Sequence, residues 1–103
     1  MSRMDREAML AAVSQALPAQ PDPDGAADLV ANEGRVRGRI NVAATASEIG
    51  PAIDRLKPLD GYRWLAINGG DLFAASPKTI GTKVGILDPS GRILKAADLP
   101  RAR

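Results

Sequence analysis

The chain has 103 residues, 45% apolar and 25% charged, with a net charge of +2 and neither histidine nor cysteine. That size and balance describe one folded domain with a single modest core, too apolar for a disordered segment. The missing residue types remove disulfides, thiolate metal sites, iron–sulfur clusters and cysteine nucleophiles, together with the usual neutral-pH general base.

Charge is spread unevenly along the chain. Residues 1–33 hold two arginines against six acids, leaving −4, so residues 34–103 carry +6. No run approaches the ~20 apolar residues needed to span a bilayer, and the charged N-terminus lacks the apolar stretch of a secretory signal. A cytoplasmic protein without membrane contact is the expectation.

Residues 3–17 read as an amphipathic helix, because Met9, Leu10, Val13 and Leu17 fall within about 100° of arc at 3.6 residues per turn. Ser2 and Asp5 supply a start signal and Pro18 the stop. The apolar stripe is narrow, so this helix has to dock on its own sheet or on another subunit. PAQPDPDG, residues 18–25, reads as an extended proline-rich linker that continues neither helix nor sheet. Asp24 then caps a short helix over 25–32 ended by Gly34, while a competing reading makes Asn32-Glu33-Gly34 a hairpin loop between strands. The low β-branched content of GAADLVANE favours the helix.

Residues 35–43 alternate in the manner of a strand, with Val36, Ile40 and Val42 facing inward and Arg35, Arg37 and Arg39 outward. A helix started by Thr45 or Ser47 and closed by Pro58 follows, presenting Ile49, Ile53 and Leu56, with Pro51 awkward in its interior. YRWLAIN is then a second strand, and the 18 residues from 44 to 61 suffice for a right-handed crossover that makes the two strands parallel. INGGDLFAA carries a hairpin signal in Asn-Gly and Gly-Gly, and KVGILDPSGRILKA a second in Pro89-Ser90-Gly91. Residues 99–103 read as a frayed tail. The sum is an α+β domain over residues 26–98, with a small mixed sheet of four to five strands, a βαβ unit, two C-terminal hairpins and the N-terminal helix.

Several motifs with chemical potential have simpler local roles. TIGTKVG lacks the upstream glycine and the Gly-Lys-Ser/Thr order of a phosphate-wrapping loop, and reads as a strand with a glycine for close packing. Gly69-Gly70 reads as a turn. Asp60, Asp71 and Asp88 lie at loop edges where two could meet a divalent cation, yet aspartates there ordinarily satisfy turn donors. Ser76 and Lys78 flank Pro77 in what reads as a turn, with nothing to desolvate the lysine. The chain therefore reads as a non-enzyme, and no catalytic residue, cofactor or metal is assigned.

Two binding readings remain. Arg35, Arg37 and Arg39 on one strand face stand about 6.6 to 7 Å apart, close to the spacing of phosphates along an extended nucleic-acid strand, and Arg63 and Lys83 could widen the patch. The same row also suits the solvated face of an edge strand. Tyr62 and Trp64 share one face of a strand whose other face holds Leu65 and Ile67, so both faces are apolar and both need cover. That surplus of apolar faces favours protein contact, as a homo-oligomer or an adaptor or inhibitor, through Met9, Leu10, Val13, Leu17, Tyr62 and Trp64. Nucleic-acid binding by Arg35, Arg37, Arg39, Arg63 and Lys83 is the alternative.

Overall fold

The computed structural model describes residues 3–32 and 34–99. Ser2 of the expected start signal, Glu33 of the possible hairpin loop and residues 100–103 of the expected tail lie outside the described residues. Helix α1 (Arg6–Ala16) is capped by Asp5, whose side chain accepts the Ala8 N–H at 2.8 Å, and it closes with the Leu17 N–H on the Val13 carbonyl just before Pro18. Then come β1 (Gln20–Pro21), β2 (Leu29–Ala31), β3 (Gly38–Ala43), α2 (Ala46–Leu56) and β4 (Arg63–Ile67). A 3-10 turn (Gly69–Asp71) leads into α3 (Leu72–Thr79), followed by β5 (Gly85–Leu87) and β6 (Ile93–Lys95).

The six strands form one mixed sheet in sequential order, β1 to β6. Antiparallel pairing joins β1, β2 and β3, parallel pairing joins β3, β4 and β5, and β6 returns antiparallel to β5. The fold is α+β, with three helices and two crossovers, β3–α2–β4 and β4–α3–β5. Helix α1 covers one face of the sheet, where Met9 and Val13, both 0% exposed, pack with Ile40, Val42 and Trp64. Helices α2 and α3 cover the other, where Ile49, Ile53, Leu56 and Ala75 meet Leu65 and Ile67. All five residues of β4 are buried, so the doubly apolar strand finds its cover within its own chain.

Where β3 begins, Gly38 holds φ +113°, and a Cβ there would stand 2.0 Å from the Tyr62 carbonyl oxygen. The neighbouring Arg39 N–H donates to that oxygen at 3.0 Å. Only glycine lets the chain turn into the sheet this close to the strand beside it. The regular pairing consequently starts at Gly38, and Arg35 to Arg37 lie before the ladder instead of within a strand 35–43.

Three other expectations are corrected. Within 25–32 no helix forms, and Leu29–Ala31 make strand β2. Its entry is fixed by side chains, with the Asp28 N–H donating to Asn41 Oδ1 at 2.9 Å and the Val42 N–H to Asp28 Oδ2 at 2.9 Å, while Leu29 and Ala31 bury alternate positions. Within 18–25, Gln20 and Pro21 pair with Val30 and Leu29 as an edge strand, and Asp22 ties the following turn by accepting from Asp24 and Ala27. Proline is tolerated there because an edge position has no second ladder to supply. INGGDLFAA is no hairpin: Asn68 spends its side chain on other segments, the diglycine makes a 3-10 turn, and α3 carries the chain over to a parallel strand. The hairpin at Pro89-Ser90-Gly91 forms as expected between β5 and β6.

Candidate functional site

The residues expected to meet a partner are mostly spent inside. Met9, Val13 and Trp64 are buried in one cluster with the sheet, and Leu10, Leu17 and Tyr62 pack against that cluster half-buried. The Trp64 indole N–H donates to the Arg37 carbonyl at 2.9 Å, satisfying the polar end of the ring. Helix α1 thus docks on its own sheet.

The basic residues are dispersed. Arg35 and Arg37 are exposed ahead of β3. Arg39 is drawn to the β1–β2 turn, its guanidinium 3.1 Å from Asp24 and 3.4 Å from Asp22. Backbone N–H groups, first that of Asp24, hold the Asp22 carboxyl below its ordinary pKa, and Arg39 acts in the same direction. Arg63 is 2% exposed and donates to the carbonyls of Leu56, Lys57 and Thr82. Lys83 adopts φ +68° in a turn, 3.9 Å from Asp98. Helices cover both faces of the central sheet, so the expected outward row of arginines is not assembled.

The acidic and nucleophilic candidates also part company. Asp71 receives two hydrogen bonds from Arg3, at 3.0 and 2.6 Å, and Asp88 closes its own turn by accepting from Ser90 and Arg92. Among the described residues, no three His, Cys, Asp or Glu side chains come together as metal ligands. Ser76 and Lys78 lie on α3 and not in a turn, and the Lys78 ammonium reaches back to within 3.9 Å of where a Cβ on Gly50 would stand. TIGTKVG runs through turns until Gly85, where β5 begins, instead of forming a strand throughout.

The carboxyl ends of parallel strands are where open α/β sheets usually take ligands. Here the N-terminal segment borders that place, where Arg3 and Met4 line a cleft of about 540 Å³ together with Asn68 and Asp88. Asn68, at the end of β4, accepts from the Met4 N–H and donates to the Met4 and Ala44 carbonyls, each at 3.0 Å. Arg3 reaches the Ala44 carbonyl as well, at 2.8 Å.

No protein-family model matches the chain, and neither the curated proteins nor the solved structures include a significant match.

What remains open is the outer side of α3. Phe73 is 91% exposed and Ile80, the residue that caps the helix, 73%. With the exposed Gly70 and Pro77 they recur at intervals of three and four residues, which sets Phe73 and Pro77 on one side of α3, with Gly70 and Ile80 just beyond its two ends. Lys78 folds away over α2, leaving the ridge apolar. Phe73 and Ile80 went unnoticed because a hairpin reading separates them. The signal was present in the 70, 73, 77, 80 spacing, had Pro77 been admitted into a helix.

No helix among the described residues is long and apolar enough to cross a membrane.

Proposed function

We propose that the protein is a non-catalytic assembly module that self-associates through the outer side of α3. The observation that carries this reading is the bare ridge of Phe73 and Ile80, because two large apolar side chains so exposed, two turns apart along α3 and its cap, mark an interaction surface. The ridge is self-complementary under a two-fold axis. In an antiparallel helix pair with the axis near Pro77, Phe73 of each copy meets Ile80 of the other, and no acidic or basic side chain has to be buried. Four residues make a small contact surface, in keeping with a reversible dimer burying less than ~1,200 Å². The lack of histidine and cysteine supports the non-catalytic part of the reading.

Light scattering across a dilution series, on wild type and on Phe73→Glu and Ile80→Glu, tests it. Wild type is expected to shift from monomer to dimer as concentration rises, while each variant stays monomeric with an unchanged thermal melt. A wild type that remains monomeric at its solubility limit overturns self-association. Salt-sensitive retention of a polynucleotide, lost in Arg37→Glu, would instead support phosphate contact by the exposed Arg35 and Arg37 segment.

A further inference from the structure

The C-terminal end of α1 borders an open cleft of about 560 Å³, within the ~300–1,000 Å³ span of small-molecule sites. Its apolar lining comes from three separate parts of the chain: Leu17 and Pro18 at the helix exit, Val36 before β3, and Ile93 at the start of β6. The β5–β6 turn forms one wall, lying so close that a Cβ on Gly91 would stand 2.8 Å from Leu17. Arg35 and Arg92, both exposed, complete the lining, and neither joins an ion pair among the described residues.

The combination specifies a ligand chemistry. An apolar lining with two forked cations favours a molecule with an alkyl body and one anionic head, since guanidinium pairs a carboxylate through two parallel hydrogen bonds. We infer that this cleft binds a free single-chain carboxylate of medium length. It lies on the α1 side of the sheet, opposite the α3 ridge, so occupancy is independent of self-association.

The chain carries its own reporter. Trp64 is the single tryptophan and shares a packed cluster with Val36, so ligand seated against Val36 alters its fluorescence. Titration of the full chain with hexanoate and octanoate, followed by Trp64 emission and calorimetry, is expected to give saturable one-to-one binding that tightens about fourfold per added methylene. Octylammonium, with the same tail and the opposite charge, is expected not to bind. Arg92→Gln, at an exposed position, is expected to weaken octanoate at least tenfold with an unchanged melt, whereas Phe73→Glu leaves binding intact. Equal binding of octanoate and octylammonium, absence of saturation below the micellar range, or wild-type affinity in an Arg35→Gln/Arg92→Gln double variant would each overturn the inference.

Discussion

Arg63 stands where two segments end with carbonyls to spare. Its guanidinium donates to Leu56 and Lys57, at the close of α2, each at 3.3 Å, and to Thr82, in the turn after α3, at 2.6 Å. Helix ends leave such oxygens unpaired, and the negative end of the helix dipole favours a cation there. Burial lowers the guanidinium pKa, an effect that nearby Asp60 opposes, and the Nε–H finds no acceptor. The arrangement is therefore costly to build and more costly to break. Arg63→Met keeps the volume but strands the Lys57 and Thr82 carbonyls, while that of Leu56 keeps the Leu59 N–H, so it is expected to lower unfolding free energy by about 3 kcal/mol, read from the urea midpoint. Arg63→Lys, whose single ammonium lacks the fork, is expected to recover less than half of that loss. An unshifted midpoint in Arg63→Met would show the guanidinium to be a bystander. In the sequence, Arg63 looked like one more surface cation, and only the covering of β4 on both sides places it inside.

At the scale of elements, β1 and the turn after it are two paired residues and a few side-chain ties. Asp22 is the centre of those ties, accepting from the Asp24 and Ala27 N–H groups at 3.0 Å each and standing 3.4 Å from Arg39. All of these favour the carboxylate over the acid, so its folded pKa lies below the ordinary carboxylate value. A depressed pKa contributes stability that is present above the unfolded value of ~3.9 and is lost as pH falls through the folded one. The stability gap between wild type and Asp22→Asn is thus expected to be full near neutral pH and to shrink as pH drops below ~4, measured by urea unfolding. A gap that is constant across the acid range would remove Asp22 from that role. The same ties explain which elements could be read beforehand. Helix α2 and the β3–β4 crossover follow from apolar periodicity, since Ile49, Ile53 and Leu56 meet a sheet whatever the rest of the chain does. Strand β2 and the β1 edge did not, because contacts with Asn41, Val42 and Arg39, far along the chain, select them over local preference. Helix α3 was hidden by a diglycine and a proline whose ordinary meaning is a turn.

On the scale of the whole molecule, α1 is the only helix on its side of the sheet among the described residues, yet it buries only Met9 and Val13 completely. Two apolar side chains on an 11-residue helix are a slender anchor. Polar contacts at its N-terminal end make up the difference: Asn68 holds Met4, Arg3 holds Asp71, and Arg6 bonds Asp28 and the Val42 carbonyl. All of these reach the sheet near the carboxyl ends of β3 and β4 or the start of β2, so one edge of the molecule acts as a latch for the helix. The helix and its latch then form a unit able to open without unfolding the parallel strands. Asn68→Ala removes the partner of both Met4 backbone groups and one of the two donors to the Ala44 carbonyl, which keeps Arg3, and each lost bond to a sheltered group weakens the latch by about 1–3 kcal/mol. Hydrogen exchange reads the result directly. Amides of α1 are expected to exchange at least tenfold faster in Asn68→Ala, while those of β4 and β5 keep most of their protection. Equal acceleration of both sets would mean that the latch and the core open as one, and that α1 belongs to the cooperative unit of the sheet.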